Sequence, residues 1–233
     1  MELATAIDRL EAAGTEQARR TYRRHGARDP LYGVSFAVLD AMAKEAKRDQ
    51  ALADGLWATD NFDCRLLACK VADPAVMTEA TLEAWLADIE AYSLVDGFVV
   101  GIAARVPGVR DRADRWSVST RDWTGQAGWD LYGRLALDDA ASGEATLDDA
   151  YFLGLLERIE ADIHQAGNRT RYAMNGCLIA IGGRDMELRK AAEAASGRIG
   201  IVVVDHGDTG CKTPAAIPYL AKIWDRRLAR VGA

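Results

Sequence analysis

Apolar residues recur every three to four positions along almost the whole chain, which is the pattern of amphipathic α-helices. The pattern predicts a series of helices joined by short connections. They cover residues 2–13, 15–26, 34–47, 49–58, 62–72, 79–89, 91–105, 109–118, 121–139, 147–165, 169–182, 186–198 and 214–231. Capping side chains suit several starts: Thr15 for the second helix, Thr78 or Thr81 for the sixth and Asn168 for the eleventh.

A series of helices of similar length favours stacked helical pairs, because each pair can bury its apolar face against the next. We therefore expect an all-α, HEAT- or ARM-like helical-repeat solenoid that forms a single domain over residues 1–233. One segment departs from the pattern, since residues 199–204, IGIVVV, are rich in β-branched side chains. This run predicts a short extended loop before the C-terminal helix.

The composition excludes several classes of protein. Hydrophobic residues make up 49% of the 233 residues and charged residues 27%, which argues against disorder and low complexity. No apolar run approaches the roughly 20 residues of a membrane span, and the N-terminus has the pattern of an acidic amphipathic helix, not of a signal peptide. We therefore expect a cytoplasmic monomer with no membrane partner.

The net charge and the spacing of the cysteines bear on two further classes, nucleic-acid-binding proteins and zinc-finger proteins. The formal net charge is −6, which counts against nucleic-acid binding unless arginine side chains gather on one face. The cysteines at positions 64, 69, 177 and 211 lack the spacing of a metal finger. We interpret them as reduced thiols that serve as small core residues.

Residues 91–101 contain the first candidate site. Tyr92 and Asp96 are four residues apart, so a helix places their side chains side by side at the edge of an apolar stripe. A partly shielded carboxylate there can stabilise a developing cation or orient a water molecule. Gly97 and Gly101 allow a second backbone to approach closely. The competing interpretation is a capping or ion-paired aspartate beside a packing tyrosine.

The second candidate combines aromatic residues with a polar row on one helix face. The polar residues are Gln126, Asp130 and Arg134, and the tryptophans are Trp116, Trp123 and Trp129. Aromatic rings beside a guanidinium group can hold a nucleotide by stacking and phosphate pairing. Tryptophans at helical spacing are also typical of a core, and we expect at least two of the three to be buried.

Further arginines are candidates for phosphate contacts. Arg169 and Arg171 lie in the first turn of a predicted helix, where N–H groups and the helix dipole favour an anion. Arg65 is a comparable single cation. The second helix carries a cluster of four more, which we interpret as a solvated face: Arg19, Arg20, Arg23 and Arg24.

The fourth candidate is the segment 204–214, VDHGDTGCKTP. Its side chains have the chemistry of a Cys–His nucleophile pair or of part of a metal site: Asp205, His206, Asp208 and Cys211. Lys212 offers a phosphate a point charge. The competing interpretation is a hydrogen-bonded loop that caps the last helix, because the sequence shows no further ligands.

Together these patterns resemble one known family, the DNA alkylation repair proteins built from HEAT-like helical repeats (the AlkD-type group). The resemblance covers about residues 30–140. It rests on Tyr32-Gly-Val, LDAMAK at 39–44, NFDCRLLA at 61–68, Trp85 through Leu94-Val95-Asp96, Trp116 and Trp123. The C-terminal motifs MNGCLIAIGG and VDHGDTGCKTP resemble a divergent subgroup of that family.

The resemblance implies a concave, electropositive groove that holds duplex DNA through its backbone and needs no metal or cofactor. In active members an aspartate supports hydrolysis of the N-glycosidic bond of a cationic N3- or N7-alkylated purine, beside two tryptophans and an arginine. Asp96 matches that acid, and Tyr92 stands where a tryptophan is usual. Gln126 stands where an arginine is expected, and Gly176 lies where a further tryptophan is expected.

Two functional hypotheses follow, and a third stays open. In the first, the protein binds damaged or distorted DNA and hydrolyses alkylpurine glycosidic bonds with Asp96. Its other site residues are then Tyr92, Trp123 and Gln126, with phosphate contacts from Arg65, Arg134, Arg169 and Arg171. In the second, the chain is a non-catalytic scaffold that binds a protein or structured nucleic acid. The third is a separate activity at His206 and Cys211.

Overall fold

A computed structural model describes residues 1–137 and 147–231, and this part of the chain is built from helices without a β-strand. The helices are α1 Leu3–Ala13, α2 Glu16–Arg24, α3 Phe36–Ala46, α4 Gln50–Trp57, α5 Phe62–Val71, α6 Glu79–Asp88, α7 Tyr92–Phe98, α8 Val109–Ser117, α9 Asp122–Leu137, α10 Asp149–Asp162, α11 Asn168–Gly182, α12 Met186–Ile199 and α13 Ala216–Val231. A π-helical turn, Val99–Ala103, continues α7. The all-α prediction is confirmed.

The helix bounds agree with the apolar period to within about three residues, which is close to the ordinary uncertainty of helix ends. Positions 138 and 139, predicted to extend the ninth helix, lie outside the described residues. Thr15 and Thr78 cap α2 and α6 as expected, by accepting hydrogen bonds from the backbone N–H groups of Ala18 and Thr81. Asn168 does not cap α11; it is the first residue of that helix.

The contacts divide the chain into two compact units. Unit 1 comprises Met1–Val106 and His206–Gly210, and unit 2 comprises Pro107–Asp205 and Cys211–Ala233. In unit 1, α5 packs against α3, α4 and α7. In unit 2, α9 packs against α8 and α11, and α12 packs against α10, α11 and α13. The expectation of a single domain over the whole chain stays a prediction.

Helices in both units meet at glycines that leave no room for a side chain. In unit 1 a Cβ atom on Gly101 would lie 2.4 Å from the carbonyl oxygen of Cys69. In unit 2 a Cβ atom on Gly128 would lie 2.2 Å from the backbone nitrogen of Ser117. The predicted close approach of a second backbone is therefore confirmed at Gly101. It is not found at Gly97, where a Cβ atom would lie 3.3 Å from the side chain of Leu66 and meet no backbone atom. The contact of α8 with α9 is of the same kind as that at Gly101.

The segment between α12 and α13 is non-helical, as the β-branched run predicts. Its apolar side chains are largely in water, since Ile201 is 86% and Val203 is 68% exposed. Side chains of α11 hold the segment. Asn168 binds the backbone of Asp205 through both its amide nitrogen and its amide oxygen, and Asn175 donates to the carbonyl oxygen of Pro214.

The four cysteines, all within the described residues, form no disulfide. Three of them are buried as expected, and Cys211 is exposed. Burial raises the pKa of Cys64 to about 11 and that of Cys69 to about 12. These thiols therefore stay protonated near neutral pH and serve as small core side chains.

Candidate nucleic-acid interface

Tyr92 and Asp96 lie on α7 in unit 1, one turn apart, as their spacing predicts. Asp96 is exposed and Tyr92 is half-buried. The carboxylate is thus more accessible to water than the sequence led us to expect. The phenol of Tyr92 contacts Nδ1 of His25, whose ring centre lies 5.9 Å from the tyrosine ring.

Two features fix how α7 packs in unit 1: its buried apolar face and Gly101 in the π-helical turn that follows it. Leu94, Val95 and Phe98 are buried, so the opposite face with Asp96 must point outward. The close contact at Gly101 brings the π-helical turn against α5. Such turns replace the regular helical bonding and are frequent near functional sites.

A cleft of about 570 Å³ lies beside the start of α7 in unit 1, bordered there by Ala91 and Leu94. Carboxylates outnumber guanidinium groups along its walls. The charged lining residues are Arg28, Asp29, Asp60, Arg65, Asp88 and Glu90. This cleft therefore favours a cationic group over a phosphate.

Arg65, predicted as a phosphate contact, lies in this cleft among acceptors of its own unit. Its side chain is 14% exposed, and its guanidinium group lies 2.7 Å from Asp60 and 3.6 Å from Asp88. It also covers the indole of Trp57, with 5.1 Å between the guanidinium carbon and the ring centre. Its geometry is that of a cation already neutralised by neighbouring carboxylates.

The cluster on α2 is closer to the candidate site than its sequence suggested. We call Arg20, Arg23, Arg24 and Arg28 the arginine strip; all four are exposed. His25 directly follows the last residue of α2 and contacts Tyr92, which brings the strip beside α7. The sequence pattern shows three of these four arginines, but it predicts an ordinary solvated face. The long-range contact of His25 with Tyr92 reveals the position of the strip.

The arginines of the strip differ in whether they form ion pairs with nearby carboxylates. Arg23 pairs with Asp29 at 2.9 Å, and Arg28 pairs with Glu90. Both pairs are exposed, and such pairs are weak in water. Arg20 and Arg24 make no ion pair with any residue the structure describes. A phosphate backbone could therefore engage the strip without breaking a strong internal interaction.

The second candidate lies in unit 2, on α9, where Trp123 and Arg134 are half-buried. Gln126 is 1% exposed, and its amide nitrogen donates to Asp130 at 3.3 Å. Trp116 and Trp129 are each 2% exposed, so the expectation that two of the three tryptophans are core residues is confirmed.

Arg169 and Arg171 differ sharply from each other. Arg169 is 7% exposed and its guanidinium group lies over the ring of Tyr172. The guanidinium group of Arg171 donates hydrogen bonds of 2.8 to 3.1 Å to four backbone carbonyls, those of Ile163, His164, Ala166 and Val203. These bonds join the end of α10 to the segment after α12. Because its donors are engaged in this way, we leave Arg171 out of the proposed phosphate contacts.

The fourth candidate has no metal-binding geometry. Within residues 1–137 and 147–231, no cluster of three or more His, Cys, Asp or Glu side chains could hold a metal ion. The metal interpretation of the Asp205–Cys211 segment is therefore wrong. Asn168 holds the Asp205 backbone, and the carbonyl oxygen of His206 accepts a hydrogen bond from Thr209. The nucleophile-pair hypothesis stays a prediction.

Helix length and hydropathy bear on the membrane expectation. None of the helices in the described part of the chain is long and apolar enough to cross a membrane.

Comparisons with known proteins give the family. Residues 6–209 match the family described as DNA alkylation repair enzyme. The chain belongs to the DNA alkylation repair enzyme family. Uncharacterised proteins of Listeria innocua serovar 6a and Listeria monocytogenes serovar 1/2a are each 29% identical to it over 230 residues, which is 97% of either chain.

This member of the DNA alkylation repair family is also similar to a solved structure. That structure is described as "A new family of proteins related to the HEAT-like repeat DNA glycosylases with affinity for branched DNA structures". The TM-score is 0.87 at 28% identity, over 97% of this chain and 95% of that chain. The HEAT-like fold and the family resemblance are thereby confirmed.

Proposed function

We propose that the protein binds DNA and prefers branched or otherwise distorted DNA to a regular duplex. The observation that carries the proposal is the similarity, over nearly the whole chain, to a HEAT-like protein described as having affinity for branched DNA. The arginine strip supports it, because it places exposed guanidinium groups beside α7 in an otherwise acidic unit.

The strip supplies the electrostatic contacts in this proposal. Guanidinium groups bind phosphate oxygens through charge-assisted hydrogen bonds, and they do so without reading base sequence. Arg20 and Arg24 lie one helical turn apart on α2 and are both exposed, so neighbouring phosphates can engage both. Arg134 stays in the proposal as a secondary contact in unit 2, and Arg169 is left out because it is 7% exposed.

A gel-shift series with a four-way junction and a linear duplex of the same sequences tests the proposal. We expect tighter binding to the junction, and weaker binding to both DNAs as the salt concentration rises. Equal affinity for the two DNAs would contradict the preference for branches. No binding to either DNA at low salt would end the proposal.

Replacing Arg20 and Arg24 together by alanine tests the strip itself. We expect the slope of log affinity against log salt to fall by about one for each lost phosphate contact. The matched control is Arg9→Ala with Lys44→Ala, which removes two exposed positive charges from other helices of unit 1. If both double variants change the slope equally, net charge and not the strip carries binding.

Hydrolysis of an alkylpurine glycosidic bond is the second candidate function. The observation that favours it is the acidic cleft beside the start of α7, because a cationic base is attracted to the carboxylates along its walls. Asp96 lies further along α7 and is not part of the cleft wall. In this proposal Asp96 stabilises the positive charge that develops on the sugar as the base leaves. Tyr92 supplies an aromatic face beside Asp96 on α7. Trp123 and Gln126 belong to unit 2, and their predicted part in such a site stays a prediction.

Release of 7-methylguanine or 3-methyladenine from methylated duplex DNA tests this second candidate. We expect release by the native protein and a loss of release with Asp96→Asn. No release by the native protein would exclude alkylpurine hydrolysis and leave DNA binding as the function. Equal release by both proteins would exclude Asp96 from the mechanism.

A further inference from the structure

Unit 2 contains a cleft of about 510 Å³ that shares Trp129 with the second candidate site but is otherwise lined by other residues. The end of α8, the first turns of α9 and α11 and the last turns of α10 surround it. Its polar lining includes Arg158 and the hydroxyl groups of Ser117, Ser119 and Thr120. Its apolar lining includes Val118, Ala166 and Met174.

Arg158 is held rigidly at the edge of this cleft. One terminal nitrogen donates to the phenol of Tyr132 at 2.9 Å, and the other donates to the hydroxyl of Ser117 at 3.1 Å. The guanidinium group also lies over Trp129, at 5.1 Å from the ring centre. Tyr132 is fully buried and donates in turn to Asp114 at 2.5 Å.

The direct partners of Arg158 are neutral. Its hydrogen bonds go to a phenol and an alcohol, and it makes no ion pair with any described residue. The nearest linked carboxylate, on Asp114, is separated from it by the phenol of Tyr132. A half-buried guanidinium group without a direct counter-ion therefore faces an open cleft, which is a favourable place for an anion.

The neighbouring hydroxyl groups suit an anion with several oxygen atoms. Ser119 accepts a hydrogen bond from the backbone of Arg121, so its own proton remains available as a donor. Thr120 is exposed at the rim. Phosphate has three terminal oxygens for these donors and the guanidinium group, whereas a carboxylate has two. The volume exceeds that of a phosphate, and the apolar wall fits an organic body.

We propose that this cleft binds an organic phosphate monoester, with its phosphate on Arg158, Ser119 and Thr120 and its organic part against Val118 and Met174. A free nucleotide and the phosphorylated end of a nucleic acid share this chemistry.

Two carboxylates in the cleft wall, those of Asp122 and Asp162, affect how strongly an anion can bind there. Asp122 is engaged, because it accepts hydrogen bonds from the backbone N–H groups of Arg169 and Thr170 at the start of α11. Asp162 is exposed at the rim, where it can accept hydrogen bonds from the organic part of the ligand. Because it also repels phosphate, its removal must strengthen binding of inorganic phosphate.

Calorimetric titration with adenosine 5′-monophosphate, adenosine and inorganic phosphate tests the proposal. We expect the monophosphate to bind with one site and adenosine to bind at least about tenfold more weakly. Inorganic phosphate should bind more weakly than the monophosphate and compete with it. A 5′-phosphorylated oligonucleotide compared with its 5′-hydroxyl form distinguishes a nucleic-acid end from a free nucleotide as the source.

Variants assign the binding to this cleft. Arg158→Gln should reduce monophosphate affinity by about tenfold or more. Since that change also disturbs Tyr132, Val118→Glu provides a second variant at a side chain that is 71% exposed. The glutamate should weaken binding, Val118→Lys should not weaken it, and Asp162→Asn should strengthen binding of inorganic phosphate.

Several results would overturn the proposal. One is a monophosphate that binds no better than adenosine, and another is a native protein that binds neither. If Val118→Glu and Val118→Lys leave affinity unchanged, any binding lies elsewhere. In each case Arg158 serves only to pack against Trp129 and Tyr132.

Discussion

The two units of this protein differ in charge and in how they use arginine. Unit 1 has 12 lysines and arginines against 18 aspartates and glutamates, and unit 2 has 17 against 17. The whole net charge of −6 therefore belongs to unit 1. Arginines of unit 1 commonly pair with exposed carboxylates, as Arg9 does with Glu45 and Arg23 with Asp29.

In unit 2 some arginines also pair with glutamates, as Arg198 does with Glu160, but others pack on aromatic rings and bind neutral acceptors. Arg158 lies over Trp129, and Arg184 lies 4.2 Å from the ring centre of Phe152. Among the residues that the structure describes, Arg171 binds backbone carbonyls alone. The net charge of a unit is therefore a poor guide to whether it can bind an anion. Burial and direct partners decide which guanidinium groups can engage a phosphate.

The largest expected effect is in unit 2, at Arg171. Replacing it by methionine keeps the aliphatic stem and leaves four backbone carbonyls without their charged donor. We expect the free energy of unfolding to fall by about 3 kcal/mol, because these acceptors lose hydrogen bonds to a charged group. Urea denaturation followed by circular dichroism measures it.

Arg9→Ala in unit 1 is the matched control, because its carboxylate partner is exposed and solvent replaces the lost contact. We expect it to change the midpoint of denaturation little. If the two variants are equally stable, the contrast between structural and surface arginines is wrong.

A smaller effect tests what the two units share, namely close contacts at glycines. We expect Gly101→Ala and Gly128→Ala each to lower the free energy of unfolding by about 2 kcal/mol, because the new methyl group meets backbone atoms. Gly154 in α10 is the control, since a Cβ atom there meets nothing within 4 Å. Alanine at Gly154 should raise stability by up to about 1 kcal/mol. Thermal melts of the three variants measure these changes in stability. A Gly128→Ala variant as stable as the native protein would contradict the close packing of α8 on α9.

The smallest effect concerns the buried thiols. Burial holds the pKa of Cys64 at about 11, against an ordinary 9.0. Below pH 9 the thiol is protonated in both states, and between pH 9 and 11 only the unfolded state loses its proton. Stability should therefore fall over that window, by up to about 1.4 kcal/mol per pH unit for this group.

Urea midpoints at pH 8, 9, 10 and 11 measure that loss. Cys64→Ala should give a shallower fall than the native protein. Cys211→Ala is the control, because its side chain is exposed and touches water in both states. Identical slopes for all three proteins would show that Cys64 does not contribute.

Much of the fold could be predicted, because an amphipathic helix shows a regular apolar period over a short stretch of sequence. The apolar period located every helix, and glycine spacing identified the close contact at Gly101. Burial of Trp116 and Trp129 also followed from helical spacing. The expected cap at Asn168 failed because Asp122, a residue of α9, binds the first N–H groups of α11.

Less of the site could be predicted. The spacing of Tyr92 and Asp96 correctly placed both on α7, but the sequence does not indicate that His25 contacts Tyr92. The arginine strip therefore looked like an ordinary solvated face. Arg158 belongs to no motif in the sequence. Its place at the cleft becomes visible through its contacts with Trp129 and Tyr132 in the folded chain.

The helices, their apolar faces and the family could be recognised from the amino-acid pattern alone, because each depends on residues that are near neighbours in the chain. The role of each arginine depends on the folded chain. The guanidinium group of Arg158 meets a hydroxyl 41 residues away, and that of Arg171 meets a carbonyl 32 residues away. A long charged side chain takes its role from the partners that folding brings within hydrogen-bond distance, and those partners lie far apart in the sequence.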